Sequence, residues 1–405
     1  MAKGKDLKPH IGIFGRRNNG KSSFINRLTG QEVAIVSDHP GTTTDPVKKS
    51  VEIFGIGPAI IIDTAGIDDT GELGKKRVEK TMNVIKTIDC AILLIAENIF
   101  NNYEIVLIEA FKKYEVPFLI VHNKSDITPV NKRNASRIKT ITGKKVIDYS
   151  TVDNAELETI IEELKTSIPE TAFVKPSLFK GLINPKDIVL LITPIDSEAP
   201  EGRMILPQQM AIRDVLDHDA ICVTIKETEL EDFMHLGIRP ALVVTDSQAF
   251  KFVASIIPDD IPLTGFSVVF AKNRANFEKY KKGTPALSGL KDGDKVLILE
   301  SCTHHVSCED IGRFKLPDWI RKFTSSQIEF EIVAGLDQIP GNLNDYALVI
   351  QCGGCVATQK QVKNRLLPAI EAGIPVTNYG MAIAFMHGIF ERAVAPFKEN
   401  DLAVK

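Results

Sequence analysis

An α/β protein built on parallel sheets is what this sequence predicts, and three observations predict it. Strand-length apolar runs alternate with helix-period segments along the chain, the mark of parallel sheets with crossover helices. A glycine-rich loop stands between the first such strand and its helix. Two groups of cysteines, "SCTHHVSC" and "QCGGC", lie just past the ends of two others, where an open α/β sheet binds ligands. At 405 residues the chain is too long for one ordinary domain, and roughly two to four are expected.

Composition narrows the class. The apolar fraction of 44% is that of a soluble globular protein. A net charge of −3, with both signs mixed, gives no footprint for nucleic acid. We find no apolar run of transmembrane length, and "MAKGKDLKPH" lacks the apolar centre of a signal peptide. The expected location is the cytoplasm, with no membrane partner. Thiols stay reduced there, so clustered cysteines read as metal ligands or redox groups.

The first strand, Ile11–Phe14, leads into Gly15-Arg-Arg-Asn-Asn-Gly20-Lys21-Ser22 and then the helical pattern "SFINRLTG". This is G-x-x-x-x-G-K-[ST] in its strand–loop–helix setting. Gly15 and Gly20 allow a tight loop whose amides face phosphate oxygens, and the helix start adds its positive end. Lys21 is expected to reach the β- and γ-phosphates and Ser22 to ligate Mg²⁺, with Ser23 counted among the nucleotide-binding residues. In "PGTTTDP", Thr43 is the candidate for the γ-phosphate and Mg²⁺. "AIIIDTAG" ends in Asp63, a Mg²⁺ holder through water, and Gly66, an amide for the γ-phosphate. Lys21, Thr43 and Gly66 form the expected catalytic set. "PFLIVHNKSD" supplies Asn123, Lys124 and Asp126. The Asp126 carboxylate can accept both N1–H and the 2-amino group of guanine, a donor pair adenine lacks. "VIDYSTVDN" closes the series with Ser150 beside the base, in a degenerate Ser-Thr. Together these mark a GTP/GDP-binding domain and resemble the TrmE–Era branch of small GTPases. Asn18 stands where potassium-activated members carry a K⁺-coordinating asparagine. Ile67 stands where Ras-like proteins place a glutamine. The resemblance implies slow, Mg²⁺-dependent hydrolysis helped by K⁺. The lysine-rich stretch 131–145 reads as a solvated helix face rather than an RNA contact.

This pattern ends near Pro169, and "ETAFVKPSLFKGLINPKD" reads as a linker. Three strand–helix pairs follow in about 85 residues, a small parallel sheet whose edges stay exposed. No phosphate loop or catalytic constellation lies here. Asp217, His218 and Asp219 read as a helix end, Cys222 as a small buried hydrophobe, and the unit as an interface pairing two copies of the chain.

In the last part, "DGDKVLILESCTHH" places Cys302 and His304 after one strand, and "DYALVIQCGGC" places Cys352 and Cys355 after another. On a parallel sheet the two loops share an edge and can converge. Gly353 and Gly354 relieve crowding and free amides for hydrogen bonds to sulfur. All four residues could close around zinc, or three cysteines could hold a [4Fe–4S] cluster with one iron exchangeable. The local residues do not choose. Cys308 is an extra thiol, and His305 and His387 read as structural.

The full order, with "LITPIDSEAPEGRMILPQQMAIRDVLDHDA" in the middle, resembles the [FeFe]-hydrogenase maturation GTPases, the HydF family. That resemblance implies a GTPase domain over 1–169, a dimerisation domain over 170–264 and a [4Fe–4S] domain over 265–405. It implies Cys302, Cys352 and Cys355 as cluster ligands, with His304 as the motif histidine. Many members have histidine where this chain has Gln351. It also implies a homodimeric scaffold that takes a di-iron H-cluster precursor from radical-SAM maturation enzymes and delivers it to apo-[FeFe]-hydrogenase. A ribosome-assembly or RNA-modification GTPase with a zinc module is the alternative, and a Cys352–Cys355 dithiol enzyme a third.

Overall fold

The computed structural model describes residues 8–32, 46–66, 71–152, 156–173, 177–195, 204–274, 277–301, 311–335, 339–354 and 357–397. The chain forms two compact units, 1–176 and 177–405.

The first unit holds a six-stranded sheet of β1 (His10–Gly15), β2 (Val47–Ile53), β3 (Gly57–Asp63), β4 (Cys90–Ile95), β5 (Phe118–His122) and β6 (Val146–Asp148). The order is β2-β3-β1-β4-β5-β6, parallel except for the β2–β3 hairpin. Strands β4 and β5 are wholly buried because helices cover both faces of the sheet. Side chains alternate between two cores: Ile92 and Leu94 join Ile11, Ile13 and Phe24, while Leu93 and Ile95 join Phe14, Phe111 and Ile120. The edge strand β2, "VKKSVEI", keeps lysines outward, which discourages further strand pairing. The amphipathic helix Lys132–Thr142, capped by Asn131, buries Ile138 and leaves its lysines in solvent.

The second unit holds two four-stranded parallel sheets. One contains β7 (Ile188–Ile192), β8 (Ile221–Ile225), β9 (Leu242–Thr245) and β10 (Leu263–Gly265), in the order β10-β9-β7-β8. The other contains β11 (Lys295–Leu299), β12 (Glu329–Val333), β13 (Tyr346–Gln351) and β14 (Val376–Asn378), in the order β12-β11-β13-β14. Both sheets are wound alike: the first strand pairs with the second on one side and the third on the other, and the fourth lies beyond the third. A single apolar core joins them, running from Leu190 and Val243 through Phe266 and Phe270 to Leu297, Leu299 and Val349. Polar stitches reinforce it: Thr264 Oγ1 donates to the Ala393 carbonyl at 2.8 Å, and Asn378 Nδ2 to the Ser267 carbonyl at 2.8 Å. The far face of the β11 sheet, with Ile298 and Ile350, packs under helix residues Leu316, Ile320 and Ile383.

Two sequence expectations need correction. The stretch read as a linker is structural from residue 177 onward, because Leu178, Phe179 and Ile183 are buried in the second unit's core. Its entry is fastened by Asp214, whose Oδ2 accepts the Phe179 N–H at 2.8 Å and the Ser177 hydroxyl at 3.2 Å. Cys222 is not a buried hydrophobe: β8 is an edge strand, and the thiol is partly exposed. Asp217 does end a helix, with His218 as its C-cap.

Candidate functional site

The loop between β1 and the helix Lys21–Thr29 has the geometry its glycines dictate. Gly20 has φ 83°, and a Cβ there would run into the Asn123 side chain. Lys21 Nζ donates to the Gly15 and Arg16 carbonyls at 3.1 and 2.9 Å, folding the ammonium over the loop. Asn18 is exposed with φ 62°, a left-handed conformation that asparagine tolerates. Asp63 ends β3 beside this loop. Burial pushes its carboxyl above the usual carboxylate range, against the pull of Lys21, Lys49 and the Ser22 hydroxyl. Its Oδ1 is buried without a partner among the described residues. A carboxylate that burial raises, with a free oxygen beside a phosphate loop, fits a divalent cation. Thr43 and Ile67 lie outside the described residues; Gly66 is the last residue described before a gap.

The base-binding elements converge on the same sheet edge. Asn123 Nδ2 donates to the Asn19 carbonyl at 2.9 Å, and Asn19 Nδ2 to the Leu94 carbonyl at 2.8 Å, tying the β5 loop to the phosphate loop. Lys124 has φ 62°. Ser150 Oγ donates to Asp126 Oδ1 at 2.6 Å, so the serine orients the carboxylate expected to read guanine. Sequence reasoning missed a brace behind this pocket. His122, wholly buried, pairs through Nδ1 with Asp148 Oδ1 at 2.7 Å and accepts the Asn98 N–H on Nε2 at 3.2 Å. Those partners put the imidazole proton on Nδ1. The pair links the end of β5 to β6, immediately ahead of Asn123 and Ser150. It missed a second contact as well: Arg16 of the phosphate loop pairs with Glu104 of the helix Asn102–Lys113. Arg16 falls at a variable position of the phosphate-loop motif and Glu104 in no motif.

In the second unit, β11 and β13 are parallel neighbours with Leu299 opposite Gln351. From β11 the chain turns first to β12 on one side and then to β13 on the other. The crevice beyond β11 and β13 is therefore a topological switch point, the usual ligand position in such sheets. Here the Cys352 N–H donates to the Leu299 carbonyl at 2.9 Å, and the Ser301 N–H donates to Cys352 Sγ at 3.0 Å. The first residues past β11 and β13, Ser301 and Cys352, are thus in contact, while the remainder of the loop after β11 lies outside the described residues. Gln351, fully buried, donates from Nε2 to Ser301 Oγ at 2.9 Å and to Cys352 Sγ at 3.6 Å. Two N–H donors fix the position of one sulfur, as outer-shell donors do for a metal-ligating thiol. Gly354 has φ 63°, and a Cβ there would meet Val362 Cγ2 at 2.7 Å. Behind the crevice, buried Glu300 is paired with Arg313 at 2.8 Å, and Arg365 donates to the Glu300 and Val333 carbonyls. The phenol of Tyr280, wholly buried, is held well above its ordinary value by burial and by Cys352. Cys302, His304, His305, Cys308 and Cys355 lie outside the described residues. Among the described residues no group of three potential metal ligands occurs. His387 caps a helix and packs its ring on Trp319.

Fold and site together define a nucleotide-binding P-loop GTPase joined to a paired-sheet α/β unit with a cysteine at its switch point. The profile described as "50S ribosome-binding GTPase" matches residues 10–124. Those described as "Hydrogen maturase F dimerization domain" and "Hydrogen maturase F tetramerization domain" match 178–275 and 278–396. The chain belongs to the hydrogen maturase F family, HydF, with a TrmE–Era-like GTPase domain. Similar curated proteins are tRNA modification GTPases MnmE. That of Caldicellulosiruptor saccharolyticus is 34% identical over 159 residues, 39% of this chain and 34% of the relative. That of Polynucleobacter asymbioticus is 43% identical over 129 residues, 31% of this chain and 28% of the relative. The chain therefore spans about a third of the length of these relatives. Among solved structures, a variant of Aquifex aeolicus Era bound to GDP·AlF4⁻ is 17% identical with a TM-score of 0.36, covering 57% of this chain and 98% of that one. The G domain of Thermotoga maritima FeoB is 18% identical with a TM-score of 0.31, covering 40% and 98%. Among the described residues no helix is long and apolar enough to cross a membrane.

Proposed function

We propose that this chain is a GTP-switched scaffold of the cytoplasm that holds a [4Fe–4S] cluster and carries a di-iron precursor to apo-[FeFe]-hydrogenase. The observation that carries the cluster reading is Cys352, seated at a switch point with two N–H groups on its sulfur. Cys302 and Cys355 complete the thiolate set in this reading, with His304 as an exchangeable fourth ligand. An iron–sulfur cluster with one replaceable position would supply a reversible attachment point for cargo. The protein's own part is to orient the Cys352 sulfur, with buried Tyr280 and the Glu300–Arg313 pair behind the crevice. The GTPase domain supports hydrolysis of GTP to GDP and phosphate. In the reading offered here, Lys21 and the loop amides hold the β- and γ-phosphates. Asp63, Ser22 and Thr43 serve Mg²⁺, Gly66 offers its amide to the γ-phosphate, and Asn18 takes K⁺. Water then attacks the γ-phosphorus and the bond to the β-phosphate oxygen breaks. Radical-SAM maturation enzymes as donors of the di-iron unit belong to the same reading. The zinc-module alternative draws no support from the C-terminal half, where the matching profiles are those of HydF.

Anaerobic reconstitution tests the scaffold. We expect brown protein with about four irons per chain, and large losses of iron in Cys302→Ser, Cys352→Ser and Cys355→Ser. Lys21→Ala should keep its iron while GTP turnover falls roughly a hundredfold. Colourless protein with stoichiometric zinc would overturn the proposal.

A further inference from the structure

Arg16 is one of the two arginines that follow Gly15 in the phosphate loop. Its guanidinium grips Glu104, Nε to Oε1 at 2.7 Å and the second nitrogen to Oε2 at 3.0 Å, a bidentate pair. The same group donates to Asn101 Oδ1 and lies over the Tyr103 ring, 4.9 Å from its centroid. Glu104 is wholly buried. Its helix does not require the charge: Oε2 accepts the Asn101 N–H at 2.8 Å as part of a capping box, a contact glutamine would also make. Burying a carboxyl group at zero exposure carries a high desolvation cost, which a bidentate arginine offsets.

The backbone of the same arginine faces the phosphate site. Its carbonyl accepts Lys21 Nζ at 2.9 Å and the Asn19 N–H at 3.4 Å. One residue thus touches the buried carboxylate with its side chain and the phosphate-binding ammonium with its peptide.

We propose that Glu104 is a positioning residue for GTP turnover: through the Arg16 side chain it fixes the Arg16 peptide, whose carbonyl aims Lys21 at the phosphates. This rests on the reading of the first unit as a GTP hydrolase. GTP and GDP share the phosphate nearest the loop, so a loosened Lys21 weakens both. Glu104 touches no reacting atom, so its loss falls on binding more than on the bond-breaking step.

The experiment uses the full chain carrying Glu104→Gln, Arg16→Gln or both, with steady-state GTP hydrolysis and fluorescence titration of labelled GDP. Each single change should raise KM for GTP and Kd for GDP about tenfold, the scale of one charged hydrogen-bonded contact. The kcat per titrated active site should change by less than about threefold, and the double variant should be no worse than the weaker single, because the pair acts as one unit. A merely structural role would lower the active fraction or the melting midpoint and leave KM of the surviving sites alone. Arg16→Lys keeps the charge but loses the fork, so its KM should fall between parent and Arg16→Gln. That series decides the matter if Glu104→Gln does not fold. Both singles within about twofold of the parent, a double equal to the product of the singles, or kcat falling at constant KM would overturn the proposal. A parent chain that does not hydrolyse GTP would instead refute the hydrolase reading.

Discussion

Asp63 shows at a single residue how a buried candidate metal ligand opposes stability. Burial raises its carboxyl pKa, and Lys21, Lys49 and Ser22 offset only part of that. The nucleotide-free native state therefore binds this proton more tightly than the unfolded chain does. The contribution to stability is fully present below the ordinary value of 3.8 and is lost as pH rises through the raised value. Asp63→Asn should accordingly raise the melting midpoint of nucleotide-free protein at neutral pH by a few degrees, with the gain vanishing toward pH 4. GTP turnover should fall about a hundredfold or more. A lower midpoint at neutral pH would show that the lysines already compensate the charge. The residues of this candidate pocket were legible because motifs fix their spacing: Gly20 and Lys21 close the loop after β1 and open its helix, and Asn123 and Asp126 follow β5, and the apolar runs of both strands are plain in the sequence. Arg16 and Glu104 lie 88 positions apart, and His122 and Asp148 26. Their pairing arises when the strands come into register, and no local pattern announces it.

At the scale of elements, β8 stands out. It forms one edge of its sheet, its sequence "ICVTI" carries no charge, and Ile221 is 52% exposed. Natural edges are usually blunted by charge, proline or a bulge; β2 has its lysines, and β12 has Glu329 and Glu331. The family profile over 178–275 is a dimerization domain, and a bare edge within it is where we expect a second copy. Ile221→Lys combined with Thr224→Lys should shift the full chain to a smaller species by light scattering behind gel filtration, with secondary structure unchanged. An unaltered mass would place the interface elsewhere. The strands here were readable as apolar runs. Three-residue β10 was not, and neither was the burial of Leu178 and Phe179, because a segment without periodicity gives no sign of the core it will enter.

For the whole molecule, the core shared by the two sheets of the second unit sets where the chain can be divided. Phe266, Val269 and Phe270 sit between Leu190 and Val243 on one side and Leu297 and Val349 on the other. A cut near 176 should give two fragments that each melt cooperatively. A cut near 276 should strip apolar faces from both sheets and give fragments that bind hydrophobic dye or precipitate. Two soluble, cooperatively melting pieces from the second cut would refute the shared core. The common winding of the two sheets also makes their crevices comparable residue by residue. Ile192 lies opposite Thr245 as Leu299 lies opposite Gln351, and both Thr245 and Gln351 are fully buried. The next residue is Asp246 in one copy and Cys352 in the other. The molecule therefore carries its own unsulfured twin of the cysteine crevice, with an oxygen donor in the slot where the other copy has a thiol. A single Asp246→Cys graft is the shortest path to learning how much of the cysteine's chemistry belongs to the slot and how much to the loops around it.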